Sequence, residues 1–239
     1  MNVKSIALLI LFLPFIVISQ EYIDLLKIGY SHTFDAKFEG TDNSTEIKGF
    51  EAGITLPVVL NEKYALISGA TFSTNNLQLF PLAPNTDLYS TMLKLGLATS
   101  HNEKWSSTIV FLPKMASDYK NLSGDDFYFG GYAVVKQKKS ENLTIRYGLY
   151  GSTEAFGPFA TPMIGVYYKS PNKRLEIDAS LPIVADVNYT FGKTTIGFDY
   201  FGIGRSFNIS QDEFSEYYIE QSPLEFSGYF QLNTLQKSV

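Results

Sequence analysis

The chain has 239 residues, of which 18 % are charged and 15 % aromatic, with a formal net charge of −5 and no cysteine. A net negative charge argues against a nucleic-acid-binding surface. The lack of cysteine excludes disulfides, thiolate metal sites and an acylated N-terminal cysteine. A chain of this length can form one large β domain or two small ones.

The N-terminus predicts export. Lys4 precedes an apolar run over residues 6–18, and small Ser19 is followed by polar residues. This order is typical of a secretory signal peptide, which we place at residues 1–19 with cleavage after Ser19. The apolar run is too short for a membrane-spanning helix of ~20 residues, and no later run approaches that length. Any membrane crossing by the mature domain, residues 20–239, is therefore expected to use strands.

Alternation of apolar and polar residues begins soon after the predicted leader. Over residues 26–38, an apolar set that includes Leu26, Ile28 and Tyr30 alternates with a largely polar set. A period of two places one set on each face of a strand. The same alternation predicts further strands at about residues 50–56, 64–74, 89–98, 105–115 and 126–137.

The clearest pattern lies in residues 142–181. Tyr147 and Leu149 belong to an apolar set that alternates with a polar set that includes Arg146. The pattern resumes after a Gly-Pro break and again after a polar turn at residues 170–173, which indicates three consecutive strands. Further segments at about residues 184–191, 194–207 and 218–232 bring the predicted number of strands to about twelve.

The length of these patterns distinguishes between two β architectures. Several exceed the ~5–6 residues usual for soluble strands and reach the ~9–11 residues of a tilted membrane strand. Aromatic residues gather near segment ends, and short turns alternate with longer loops, as in membrane barrels. We therefore predict an all-β fold, an antiparallel up-and-down transmembrane β-barrel of about 12 strands within residues 20–239. A secreted soluble β-sandwich that acts as a binding module is the alternative.

Five short motifs of the mature chain resemble those of a known family. They are the segments 49–57, 125–131, 146–148, 159–165 and 203–207, which read GFEAGITLP, DDFYFGG, RYG, FATPMIG and IGRSF. On these motifs the chain resembles an uncharacterised family of Gram-negative outer-membrane β-barrel proteins, known as a domain of unknown function. The resemblance implies a location in the cell outer membrane, with outer-membrane lipids and the barrel-assembly machinery as partners. It implies no activity and carries no functional residue.

The C-terminal end predicts an incomplete barrel. In a closed barrel the last strand pairs with the first, because unpaired backbone groups in lipid cost several kcal/mol each. Here the last strand pattern is followed by a polar tail, residues 233–239, and members of the resembled family are expected to continue beyond that point. We therefore expect a native barrel of about fourteen strands, with its last strands missing from this chain.

Two histidines are the candidates for catalysis. His32 falls in the apolar set of the first strand and His101 lies in a turn. A lipid hydrolase or acyltransferase needs a serine beside a histidine base and a third polar residue that orients the base. Ser31 adjoins His32 but points to the opposite face, and the spacing indicates no other partner. We therefore predict a non-enzymatic protein, with an outer-membrane lipid hydrolase or acyltransferase as the alternative.

One loop carries the candidates for metal binding. Asp118, Asp125 and Asp126 could supply the oxygen ligands that Ca²⁺ prefers. Acidic residues in a solvated loop are more commonly only solvated. We therefore predict no metal site, no cofactor-binding residue and no catalytic residue.

Charged residues on the predicted inner face have both signs. An ion-selective pore would be expected to carry a ring of one sign. We therefore predict an interior filled by salt bridges, in a barrel that is structural or forms a narrow pore of low conductance. The predicted inward charges are Lys27, Asp35, Lys37, Glu51, Lys94, Arg146, Glu154, Arg174, Glu176, Asp178, Asp199 and Arg205.

Overall fold

The computed structural model describes residues 25–210, 217–221 and 224–232. The predicted signal peptide, residues 1–19, and the polar tail, residues 233–239, lie outside these ranges. Within them the chain is all-β, as predicted, with one short 3-10 turn at Gly124–Asp126. No helix in the described ranges is long and apolar enough to span a membrane.

Sixteen strands form the described part of the chain. They are β1 (Leu26–His32), β2 (Ala36–Lys37), β3 (Ser44–Thr45), β4 (Lys48–Val59), β5 (Tyr64–Gln78), β6 (Asn85–Ser100), β7 (Trp105–Ser117), β8 (Phe127–Ser140), β9 (Leu143–Glu154), β10 (Gly157–Lys169), β11 (Leu175–Leu181), β12 (Val184–Phe191), β13 (Thr194–Phe201), β14 (Arg205–Asn208), β15 (Tyr218–Gln221) and β16 (Glu225–Leu232).

Twelve of these strands form an antiparallel meander. Their order is β1-β4-β5-β6-β7-β8-β9-β10-β11-β12-β13-β16, which confirms the predicted up-and-down arrangement of about 12 strands. β1 and β16 stand at the two ends of this order, and no pairing within the described ranges joins them. The sheet is therefore open in this structure, whereas the sequence predicted a barrel.

The first strand is shorter than its sequence pattern. β1 ends at His32, and the Thr33 amide donates to the Ile47 carbonyl at 3.0 Å. The chain then forms β2 and β3, a small ribbon apart from the main sheet. Phe34, which is 97 % exposed, therefore lies on no strand face although it continues the period of two.

The chain also leaves the sheet near its C-terminal end. The strand predicted over residues 194–207 ends at Phe201, and β14 pairs with β15 instead of continuing β13. The last predicted segment, residues 218–232, is correspondingly divided between β15 and β16. β14 has one further ladder contact, a parallel bridge between Asn208 and Ser117 of β7.

The register of the twelve strands gives the sheet two unlike faces. The face that we call outer carries Ile109, Leu149 and Ile164, which are 63 %, 54 % and 68 % exposed. The face that we call inner carries Arg146 and Tyr150, which are buried. Because side chains alternate along a strand, an apolar outer face and a mixed inner face follow from the sequence pattern, and the assignment predicted for β9 is confirmed.

Buried apolar residues form two clusters on the inner side. The first consists of Leu77, Leu88, Ala116, Tyr128, Phe207 and Ile209. The second consists of Val134, Tyr150, Met163 and Ile183. Most lie near the end of the sheet that carries the connections 33–47, 79–84 and 118–126, which we call the loop end. Residues 60–63, 101–104, 141–142, 170–174 and 192–193 form the shorter turns at the opposite end.

Candidate functional site on the inner face

Side chains from three neighbouring strands build one ion pair on the inner face. Lys114 Nζ on β7 donates to both carboxylate oxygens of Glu154 on β9 at 3.1 Å. The Tyr128 ring of the intervening β8 lies 4.9 Å from the ammonium and contributes a cation–π contact. The Lys114 and Glu154 side chains are only 14 % and 3 % exposed. Because both charges have lost most of their water, each depends on the other.

A second ion pair repeats this arrangement two strands further along. Arg146 on β9 binds Asp178 on β11 with both terminal nitrogens, and Nη2 donates to Oδ2 at 3.2 Å. The guanidinium lies 5.9 Å from the Tyr167 ring of the intervening β10. Gly165 is the residue of β10 directly opposite Arg146, and a Cβ there would collide with the Ala179 carbonyl. Because Gly165 has no side chain, the Arg146 side chain can cross β10 at this position and reach Asp178.

Other, more exposed ion pairs lie elsewhere on the sheet and in the ribbon. Lys27 pairs with Glu51 at 3.0 Å, and Lys169 pairs with Glu176 at 2.6 Å. The predicted inward position of Lys37 is wrong, because the ribbon takes this residue out of the sheet. The predicted inward position of Asp35 is wrong for the same reason, since residue 35 precedes the ribbon and belongs to no strand.

The two signs of charge are separated along the sheet. Apart from Glu154, the inner faces of β6–β9 carry positive residues, whereas those of β11–β13 carry a row of carboxylates. The positive group is Lys94, Lys114, Lys136, Lys138 and Arg146, and the acidic row is Asp178, Asp186 and Asp199. The three aspartates stand directly opposite one another, a placement that raises the energy of neighbouring like charges. Sequence reasoning counted the two signs but could not separate them, because the separation depends on strand order.

A segment that leaves the sheet covers part of the inner face. Residues 205–210, which read RSFNIS, form this inner segment. Phe207 and Ile209 are each 1 % exposed and pack in the cluster that contains Leu88 of β6 and Tyr128 of β8. The inner segment therefore fills the loop end of the sheet with two large apolar side chains.

Three carboxylates accept hydrogen bonds from alternate residues of the inner segment. The Ser206 amide donates to Glu154 Oε2 at 2.9 Å. Asn208 Nδ2 donates to Asp126 Oδ1 at 2.8 Å. The Ser210 amide donates to Asp118 Oδ2 at 3.4 Å.

Two of the candidate metal ligands, Asp118 and Asp126, therefore have a structural role. Asp118 and Asp126 are 3 % and 0 % exposed and hold the inner segment against the loop that precedes β8. Asp126 Oδ2 also accepts from the Ser123 amide at 2.8 Å, in a capping box at the start of the 3-10 turn. In the described ranges, no group of three or more His, Cys, Asp and Glu residues is placed to hold a metal ion.

Each histidine has one polar partner. His32 Nε2 lies 2.7 Å from Glu46 Oε2, and the pKa of Glu46 is lowered by hydrogen bonds from Lys48 and from His32. His101 Nε2 lies 2.8 Å from Ser107 Oγ, across the turn between β6 and β7. The His101–Ser107 contact was missed by sequence reasoning, because the tight turn brings together residues whose spacing alone indicates no pairing.

Sequence reasoning also missed the inner segment. Phe207 and Ile209 alternate with polar residues just as they would in a continuing strand. The available signal was the pair Gly202 and Gly204 around Ile203, since glycine inside a strand pattern weakens the strand and marks a bend. Ile203 packs against the second cluster at this point.

Comparison with known proteins gives one match. A family model described as a domain of unknown function, DUF6268, matches residues 15–196. No curated protein and no solved structure matches the chain. The matched region includes β1–β12 and the start of β13, and the inner segment lies beyond it.

Proposed function

Since this chain belongs to the DUF6268 family, whose function is unknown, we propose its role from the chemistry of its own two faces. It is a non-enzymatic outer-membrane β-barrel protein, structural or forming a narrow pore, in the envelope of a Gram-negative cell. Its outer face contacts lipid, its inner face lines the interior, and β1 pairs with β16 to close the sheet at twelve strands, in place of the fourteen expected from the sequence. Its partners are outer-membrane lipids and the barrel-assembly machinery.

The observation that carries this proposal is the exposed apolar outer face. Large apolar side chains that are 44–68 % exposed occur on strand after strand, among them Ile54, Leu95, Ile109, Phe111, Leu149, Ile164, Phe198 and Phe230. Soluble monomers rarely expose apolar patches beyond a few hundred Å². In lipid the same surface needs no cover, because the surrounding hydrocarbon is itself apolar.

Strand length supports the same proposal. β4 to β10 have between 12 and 16 residues each, whereas a tilted membrane strand needs ~9–11. The excess allows these strands to extend beyond the hydrocarbon layer at both ends.

The two edge strands are compatible with closure. Leu26 and Ile28 of β1 and Phe226 and Phe230 of β16 are 62–67 % exposed and lie on the outer face. Pairing of the two edges would join these residues into a continuous apolar belt. It would also satisfy the edge amides and carbonyls, which cost several kcal/mol each when unpaired in lipid.

Membrane fractionation combined with cysteine crosslinking tests the proposal. The chain has no native cysteine, so cysteine pairs with one member on β1 and one on β16 can form only the intended disulfide. We expect the protein in the outer-membrane fraction, a band that shifts on boiling, and crosslinking in one register of pairs. A soluble periplasmic pool without a heat-dependent shift would refute the barrel and favour the soluble β-sandwich.

The His101–Ser107 contact favours a second candidate function, a lipid hydrolase or acyltransferase. A histidine base at hydrogen-bond distance from a serine hydroxyl is two thirds of a nucleophilic triad. Ser107 lies on the outer face opposite Val135, where it could meet a lipid ester. Labelling by a fluorophosphonate, lost in Ser107→Ala and His101→Ala but kept in Ser106→Ala on the opposite face, would establish this activity. Equal lack of labelling in all four proteins would exclude it.

A further inference from the structure

The inner segment forms very little ladder with the meander. Among the residues that the structure describes, its one ladder contact with the meander is the bridge between Asn208 and Ser117, whereas β13 pairs with β16 over Thr194–Phe201. Its other ladder partner is β15, which pairs within the described chain with β14 alone. The segment can therefore leave the inner face without breaking any ladder between the twelve strands of the meander.

Polar and apolar contacts alternate along the inner segment and together hold it in place. Ser206, Asn208 and Ser210 direct polar groups to the three buried carboxylates, while Phe207 and Ile209 enter the apolar cluster. Hydrogen bonds to ionised groups are about twice as strong as neutral ones. When the segment departs, water can replace its donors on the carboxylates, so the departed state carries no unsatisfied charge.

We propose that residues 205–210 are a releasable plug that closes the interior of the barrel at its loop end. This inference rests on the proposed membrane barrel and adds its regulation. With the plug in place, Phe207 and Ile209 fill the loop end. With the plug displaced, the loop end is open to water and lined by Asp118, Asp126 and Glu154, and solute passage becomes possible.

Single-channel recording in planar lipid bilayers tests the plug. Phe207→Ala with Asn208→Ala weakens both kinds of attachment without changing any residue of the barrel wall. We expect this variant to raise the open probability at least about tenfold, since each lost contact shifts the closed–open equilibrium by roughly that factor. Phe129→Ala, which removes an outward ring of β8 that is 52 % exposed, is the matched control and should leave the wild-type trace unchanged.

A disulfide lock makes the test independent of folding defects. Ser117 and Asn208 are bridge partners, and their replacement by cysteine gives a protein that can be compared with itself in two redox states. We expect the oxidised form to conduct no more than wild type and the reduced form to open, because Asn208→Cys removes the bond to Asp126.

The outcomes separate this inference from the barrel itself. A protein that fails to insert into lipid and shows no heat-dependent shift overturns the proposed barrel, and the plug with it. A protein that inserts but conducts equally in the oxidised and reduced states overturns the plug alone. Currents that rise in the Phe207→Ala/Asn208→Ala variant, and that appear in the double-cysteine variant only on reduction, support both.

Discussion

The strands from β4 to β10 and those from β11 to β13 make two unlike halves of one sheet. The first half has strands of 12 to 16 residues, and residues 205–210 cover part of its inner face. The second half has strands of 7 or 8 residues, and its inner face carries the row Asp178, Asp186 and Asp199. In the first half, the charged pair Lys114–Glu154 is almost fully buried.

This difference indicates which half of the sheet contributes more to the stability of the fold. A strand of 7 or 8 residues falls short of the ~9–11 that a tilted crossing needs, so in the proposed barrel the second half cannot extend beyond the hydrocarbon layer as the first half does. The first half has a covered interior, two apolar clusters and a buried ion pair. Fully buried contacts contribute more to the free energy of unfolding than exposed ones, and we expect the first half to dominate stability.

The largest expected effect comes from matched changes in the two cross-strand ion pairs. Glu154→Gln leaves buried Lys114 without a charged partner, and we expect it to lower the free energy of unfolding by about 3–5 kcal/mol. Asp178→Asn also removes the partner of a buried cation, since the Arg146 side chain is 10 % exposed, but the carboxylate itself is 39 % exposed. Asp178 also stands opposite Asp186, so relief of like-charge repulsion offsets part of the loss and we expect a smaller effect. Urea unfolding in detergent micelles measures both. Equal losses would contradict the difference between the halves.

Sequence alternation was sufficient to predict the uniform part of this architecture. The strands β5 to β10 lie close to their predicted ranges because apolar and polar residues alternate there without interruption. The same alternation misled at residues 33–38 and 205–207, where the period continues but the chain leaves the sheet. A period of two reports that a segment has two faces, not which partner it pairs with.

The candidate site was less predictable than the strands. Lys114 and Glu154 meet across β8, and Arg146 and Asp178 meet across β10, so each contact depends on the register of three strands. The carboxylates that hold the inner segment come from 118, 126 and 154, far from residues 206–210 in sequence. Local spacing contains no information on such long-range contacts.

The second-largest effect is expected from arginine substitutions on the outer faces of the two halves. Ile164→Arg places a charge in the middle of β10, and at the bilayer midplane this should cost about 2–4 kcal/mol of unfolding free energy. Val187→Arg on short β12, where the starting residue is 42 % exposed, should cost less if the strand does not reach the midplane. Unfolding in lipid vesicles of fixed thickness measures both variants. If arginine at both positions is tolerated, the outer face does not contact lipid.

A smaller loss of stability is expected from substitution of Gly165, which lies where the two halves meet. In Gly165→Ala the new methyl group meets the Ala179 carbonyl and Arg146, and overpacking of this kind costs about 1–3 kcal/mol. Gly130→Ala in the first half is the matched control, since its methyl group would make only ordinary contacts of 3.5 Å. The thermal midpoints of the two variants in micelles should differ accordingly. A stabilised Gly165→Ala would show that the strands can separate there at no cost.

The smallest effect is a pH dependence outside the strands that belong to the membrane in our proposal. Glu46 lies between the ribbon and β4, and its pKa is lowered from its ordinary value of 4.5 by hydrogen bonds from Lys48 and His32. A carboxylate with a lowered folded-state pKa stabilises the fold above its ordinary pKa, and this contribution is lost as the pH falls through the lowered value. Glu46→Gln should therefore lower the thermal midpoint slightly near pH 7, and this difference should shrink as the pH falls through the lowered pKa. Glu62→Gln, at an exposed turn where the described chain provides no ion pair, is the control and should show no such difference. A gap between wild type and Glu46→Gln that stays constant over this range would show that the carboxylate charge does not anchor the ribbon to β4.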